Sequence, residues 1–254
     1  MDMFPLAGST GTLTGIASRG PDVADDALPL VLLHGIQGTA RSWEGVIAKV
    51  ADTAPAVAPN LRGRAGSPSP DDPSAYSIDA FAEDLAAVID AVGRPVVLAG
   101  WSMGTLVALA YIRARGLAQL GGLALISGSP HPGRKGANWF AGETVEAIAA
   151  AADERARRMG LTESATPVAV AGAWLSCRET DHSGVLPGIH RPVTVIHGTD
   201  DDQCPLSHGE FMAQAVPDGE LVSLAGRSHS ILGEAPDEVA RALLELRERC
   251  RAAG

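Results

Sequence analysis

One serine interrupts a run that is otherwise mostly apolar, "VVLAGWSMGTLVALAY" (96–111), where Ser102 lies in the middle of "GWSMG". A serine hydroxyl is a weak nucleophile until a base stands beside it. A strand-like run precedes Ser102 and a helical one follows. That is the setting of a Gly-x-Ser-x-Gly nucleophile elbow, a sharp turn that pushes the hydroxyl out of the sheet. Glycines two residues away on either side let strand and helix approach closely. The helix that starts after Ser102 aims its unpaired N–H groups at the site and favours a developing anion there.

Acyl transfer through such a serine needs two fixed donors for the oxyanion, a base, and a carboxylate to orient that base. "LLHGIQG" (32–38) ends an early strand-like run, and its Gly35 and Gly38 permit a tight turn. The backbone N–H groups of Ile36 and Met103 are the candidate donors. "VIHGTDDDQCP" (195–205) places Asp200, Asp201 and Asp202 just past a late strand, and position alone does not choose among them. "LAGRSHSILGEAP" (224–236) places His229 in the loop after the last strand. Serine, acid and histidine then follow in the order an elbow nucleophile requires. His34 reads as a loop pin. His131, His182, His190, His197 and His208 have no such placement and read as surface or structural groups. The acidic triplet has few nearby ligands, so no metal site is expected.

These residues need a frame. Strand-like runs fall at 12–18, 28–34, 55–60, 95–100, 121–127, 192–198 and 220–226, several of them apolar on both faces, as buried parallel strands are. Between them lie helical patterns. At 77–93, Ile78, Phe81, Leu85, Val88, Ile89 and Val92 share a face, with Ser77 as N-cap and Gly93 at the end. At 235–250, Val239, Leu243, Leu246 and Cys250 repeat at helical spacing. Strand–helix alternation predicts an α/β fold, a mostly parallel sheet with helices on both faces. Between 128 and 191 no convincing strand occurs. An amphipathic helix at 143–160 and another at 163–177, broken near Pro167, look like an insertion over one end of the sheet.

Composition narrows the classes. A chain of 254 residues, 46% hydrophobic, can bury one sizeable core. A formal net charge of -10 argues against nucleic acid or an anionic membrane as partner. The start, "MDMFPLAGST", has neither a basic nor a long apolar stretch, so no signal peptide is expected. The run at 96–111 is the one membrane candidate, and its glycines, its serine and the preceding Pro95 speak against a span. Cys177, Cys204 and Cys250 are odd in number and widely spaced, which reads as free thiols in a reducing cytoplasm.

The ordered motifs resemble those of the α/β-hydrolase superfamily over nearly the whole chain. "HGIQGTARSW" is similar to the oxyanion segment, "NLRGRAGSP" to Asp-x-Arg-Gly-x-Gly-x-Ser, "GWSMG" to the elbow, "GTDDDQCP" to Gly-x-x-Asp-x-x-x-Pro, and "GRSHSILGEAPDEV" to Gly-x-x-His followed by Glu-x-Pro. The resemblance implies a core of 1–130 and 191–254 with a helical cap at 131–190. It implies a triad of Ser102, Asp201 and His229, no cofactor, and hydrolysis of a small-molecule ester, lactone or thioester. The spacing from Gly198 to Pro205 frames Asp201. Asn60 stands where the family has aspartate, Arg64 where a histidine is common, and Thr105 where many relatives have a second glycine. The first two are expected near the mouth of the site.

Two other uses of the same site stay open. One is carbon–carbon bond hydrolysis, or a synthase-type cyclisation or elimination. The other is a ligand receptor with vestigial turnover. Trp101, Trp139 and Trp174, with Phe140, are candidates for the substrate pocket. "HPGRK" (131–135) reads equally as a contact for an anionic substrate group and as a solvated hinge. A homodimer is compatible with everything above.

Overall fold

The computed structural model describes residues 3–6, 8–19, 28–135 and 139–252. Eight strands form one sheet: β1 (Met3–Leu6), β2 (Leu13–Ser18), β3 (Leu30–Leu33), β4 (Ala56–Asn60), β5 (Val96–Trp101), β6 (Leu120–Ile126), β7 (Val193–Gly198) and β8 (Gly219–Leu224). Their order is β1-β2-β4-β3-β5-β6-β7-β8. The two pairings made by β2 are antiparallel, and β4 to β8 run parallel with β3. The short β1 is absent from the sequence expectations. Its four residues carry too little alternation to stand out.

The helices are α1 (Glu44–Val50), α2 (Ile78–Val92), α3 (Met103–Arg115), α4 (Val145–Arg158), α5 (Pro167–Glu179), α6 (Leu206–Ala215), α7 (Ile231–Glu234) and α8 (Pro236–Ala252). The expected caps of α2 are present: Ser77 Oγ accepts from the Ala80 N–H, and Gly93 ends the helix at φ 70°. Pro167 does not break a helix. It opens α5, and the Thr166 side chain caps the start by accepting from Ala169 N–H. Proline suits a first turn because its missing N–H would have no intrahelical acceptor there. The run at 96–111 becomes strand and helix, and no helix among the described residues is long and apolar enough to cross a membrane.

Strand alternation builds two cores. Val31, Leu33, Leu98 and Leu125 face one layer with α2, α3 and α5, and Leu30, Leu32, Val97 and Ile126 face the other with α1 and α8. A sheet covered on both faces leaves its strand ends as the place where polar groups can meet solvent. In parallel α/β sheets the carboxyl ends are where ligands bind. β3, β5, β7 and β8 there lead into the segments holding Ile36, Ser102, Asp201 and His229. The register brings Leu33 beside Gly100 and Gly198 beside Leu224.

Candidate active site

Ser102 has φ 56° and ψ −118°, a conformation that L side chains rarely adopt. Backbone strain of this kind costs about 1–3 kcal/mol and is held by the surrounding packing. The flanking glycines explain how the turn fits. A Cβ on Gly100 would collide with the backbone of Gly104, and one on Gly104 would come 2.8 Å from the Leu33 carbonyl oxygen. The turn thus sets Ser102 at the head of α3.

Ser102 Oγ lies 2.9 Å from His229 Nε2. His229 Nδ1 is 3.0 Å from both oxygens of Asp201. All three groups are buried. Asp201 Oδ1 also accepts from the backbone N–H groups of Gln203 (2.9 Å) and Cys204 (2.7 Å). Burial alone would push the Asp201 carboxyl up. The hydrogen bond and charge of His229, with those two N–H donors, outweigh it and hold the group below its ordinary range. Asp200 and Asp202 are exposed, and Asp200 pairs locally with the Thr199 hydroxyl. The chain leaves β7 in a turn, with the Asp201 N–H 3.4 Å from the Gly198 carbonyl oxygen, and of the three aspartates only Asp201 is buried.

Gly198 has a use that the sequence did not suggest. A Cβ there would collide with the carbonyl of Arg227 and come 2.7 Å from that of Ser228. The acid-bearing turn and the His229 loop therefore pack backbone to backbone. His197, just before it, is also close: Nε2 sits 2.6 Å from the Cys204 carbonyl oxygen and 3.5 Å from Asp201 Oδ2. Burial lowers its pKa, so it serves as a neutral donor bracing the acid loop.

The segment expected from sequence to hold an oxyanion is fixed from behind. Gly35 to Gly38 close a turn through the Gly38 N–H and the Gly35 carbonyl (3.1 Å). Ile36 lies inside that turn, and its N–H takes no part in the closing bond. Met103 opens α3, and its N–H is among the helix's first four donors, which have no intrahelical acceptor. His34 is fully buried. Its Nδ1 lies 2.9 Å from the Gly35 carbonyl oxygen, and its Nε2 accepts from Leu61 N–H at 3.2 Å, so it pins the loop as expected. Arg64 Nη2 donates to the Ile36 carbonyl at 2.8 Å and Nη1 to that of Arg62 at 2.7 Å, with the guanidinium 4.7 Å from the Phe81 ring centre. Asn60 Oδ1 accepts from Ala40 N–H at 2.7 Å. Neither Arg64 nor Asn60 stands at the mouth of the site. Both are 1% exposed and hold backbone beneath it, which corrects the expectation from sequence. Thr105 is buried and bonds back to the Gly100 carbonyl at 3.1 Å, tying α3 to the strand it follows.

A cavity of about 280 Å³ opens over Ser102, lined among others by Ile36, Trp101, Trp139, Phe140, Arg155 and His229. Trp101 also donates its indole N–H to the His229 carbonyl at 3.1 Å. Trp174 is not at the wall. It is buried behind Trp139 and Phe140, with ring centres 5.0 and 6.1 Å away. α4 supplies Arg155, which reaches the Gln37 and Gln203 side-chain oxygens. None of these three polar residues stood out in the sequence, because nothing in their spacing links them. The side chains of Arg134 and Lys135, within "HPGRK", lie outside the described residues. Among the described residues no group of three or more His, Cys, Asp or Glu side chains could hold a metal ion.

A strained serine at a strand–helix turn, a histidine on its hydroxyl and a buried carboxylate behind the histidine define a class of site, and comparison with known proteins places the chain in a family. The chain belongs to the alpha/beta hydrolase family, whose model matches residues 30–242, and it is a hydrolytic enzyme. No curated protein matches it. Among solved structures it is similar to an esterase from Rhodococcus sp. ECU1013, at 26% identity, TM-score 0.76 and full coverage of both chains. A thermophilic esterase from Thermogutta terrifontis superposes with TM-score 0.76 at 23% identity, over 98% of this chain and 99% of that one. An enol-lactonase from Burkholderia xenovorans LB400 does so with TM-score 0.75 at 20% identity, over 96% and 99%.

Proposed function

We propose that the protein hydrolyses a small-molecule ester or lactone through an acyl-serine intermediate, with Ser102 as nucleophile, His229 as base and Asp201 as the orienting acid. The observation that carries the reading is the continuous relay from Ser102 Oγ to His229 Nε2 (2.9 Å) and from His229 Nδ1 to Asp201 (3.0 Å). His229 takes the hydroxyl proton as Ser102 attacks the carbonyl carbon. The carbonyl oxygen becomes an oxyanion, held by the N–H groups of Ile36 and Met103. His229 passes its proton to the leaving alcohol as the acyl–oxygen bond breaks. Water then gives a proton to His229 and attacks the acyl-serine, and the acid leaves with Ser102 restored. Asp201 keeps the imidazole proton on Nδ1 throughout and stabilises the imidazolium.

The segment 131–190 acts in this reading as a cap that shapes the pocket, with α4 and α5 at its centre. The cavity, about 280 Å³, lies at the small end of ligand pockets, which suits a compact substrate. The esterase and lactonase neighbours lend support to ester or lactone chemistry.

A serine-directed phosphonate should label the protein once, at Ser102, as read by peptide mass spectrometry. Ser102→Ala should lose roughly a thousandfold or more in kcat on whichever p-nitrophenyl ester, lactone or acyl thioester the wild type turns over best. Labelling elsewhere, or normal turnover by the variant, would remove Ser102 from the mechanism.

A further inference from the structure

Of the two arginines at the cavity wall, Arg155 is the one with no ion pair to a carboxylate among the described residues; the charge of exposed Asp202 acts on it from beyond contact distance. Arg41, the other arginine there, pairs with Glu44 and lies 3.6 Å from Glu163. Arg155 instead meets two neutral amide oxygens. Nη2 donates to Gln203 Oε1 at 3.0 Å, and Nη1 donates to Gln37 Oε1, while Gln37 Nε2 is committed to the Ala152 carbonyl at 2.9 Å. A guanidinium carries five N–H donors, so three remain without a described acceptor.

The anchoring is informative. Gln37 belongs to the oxyanion turn and Gln203 to the acid loop, so Arg155 is held between the two segments that flank Ser102. The Phe140 ring, 5.7 Å from its guanidinium carbon, backs it on another side. Two fixed amides stop the side chain from swinging away to solvent, yet supply no negative charge. A partly buried cation held rigid at a cavity wall by neutral partners, with no carboxylate in direct contact, is a site made for an anion. The surface as a whole is acidic, with net charge -10, so a positive group at this point is not part of a general basic field.

We infer that the substrate carries a carboxylate besides its scissile ester or lactone bond, and that Arg155 binds that carboxylate through its unused N–H groups. The inference rests on the ester or lactone hydrolase reading. It deepens that reading from any compact ester to an anionic one, and it makes Arg155 a specificity-determining residue.

Two substrate panels test it. Monomethyl succinate, glutarate and adipate, each against its dimethyl ester, put the carboxylate on the acyl side. Acetoxyacetate and 4-acetoxybutyrate, each against its methyl ester, put it on the alcohol side. The readout is the ratio of kcat/KM for the charged over the neutral member of each pair. In at least one pair that ratio should fall about tenfold or more in Arg155→Met, mainly through KM, as loss of a charge-assisted hydrogen bond implies. Arg155→Lys, which keeps the charge without the planar fork, should fall between. An unchanged ratio in every pair, with the variants folded by circular dichroism, would leave Arg155 as a strut between cap and core and overturn the inference.

A second arm does not depend on turnover. In Ser102→Ala, glutarate should alter tryptophan fluorescence saturably, since Trp101 and Trp139 line the same cavity. Adding Arg155→Met should abolish that signal. No saturation by about 10 mM, or equal binding with and without Arg155, overturns the anion site. If the phosphonate fails to label Ser102 while glutarate still binds through Arg155, the hydrolytic reading falls and the anion site stands.

Discussion

Acid should loosen this fold through His34. The ring is fully buried, and both nitrogens are engaged in the neutral form: Nδ1–H donates to the Gly35 carbonyl and Nε2 accepts from the Leu61 N–H. A second proton on Nε2 would face that N–H donor. Burial, with the nearby Arg64 charge, lowers the pKa from 6.5 to about 3. Below pH 6.5 the unfolded chain therefore takes up a proton that the native chain refuses until about pH 3, so stability falls across that window as the pH drops. The slope from one such group is about 1.4 kcal/mol per pH unit. Between pH 8 and pH 5 the loss from His34 comes to about 2 kcal/mol. Urea denaturation at pH 8, 7, 6 and 5 measures it. His34→Asn keeps a donor and an acceptor without titrating, so its stability should be flatter over this range by about that amount. His182 and His197 are depressed too, mainly by burial, and they add to the wild-type slope, but the difference between wild type and variant isolates His34. Equal slopes would mean that His34 is not held neutral in the native loop.

Two further outcomes concern the site itself. Asp201→Asn should cost at least about a hundredfold in kcat, because the amide no longer fixes the Nδ1–H tautomer of His229, whereas Asp200→Asn and Asp202→Asn, both at exposed positions, should stay within about tenfold of wild type. Steady-state rates of the three variants decide between them, and a severe loss at either flanking position with activity kept at Asp201 would show the assigned register to be wrong. Trp139→Ala should change KM and acyl preference, since Trp139 lines the cavity. Trp174→Ala, at a fully packed position, should instead lose about 3–5 kcal/mol of stability in urea with its preference kept.

The parts of this protein that could be read from sequence are those where neighbouring residues share one task. "GWSMG" is legible because strand, turn, serine and helix start occupy consecutive positions, and each constrains the next. The faces of α2 and α8 are legible because helical spacing repeats. Asp201 is legible once the family pattern frames it, and the turn off β7 leaves Asp200 and Asp202 exposed while Asp201 meets His229. The two central departures from that pattern were misplaced for a related reason. Asn60 and Arg64 are polar residues in a loop, which suggests a rim. Their partners are backbone groups at Ala40 and Ile36, which no side-chain pattern encodes.

Arg155 marks the limit of that kind of reading most sharply. It sits in "ERARRMG" (154–160), and a basic run on an amphipathic helix has every appearance of a solvated face. Arg157 and Arg158 are indeed exposed, and Arg157 pairs with Glu154 one turn away. Helical geometry alone separates Arg155 from them: it shares the inward side of α4 with Ile148 and Ala152, four and three residues apart. Those two are buried, so the next position along the stripe must also turn toward the core, and there the stripe passes over the cavity rather than over packed side chains. A charge at the end of an apolar stripe is therefore directed at whatever the helix covers. Here that is the space above Ser102, and of the three arginines in the run only Arg155 lines it.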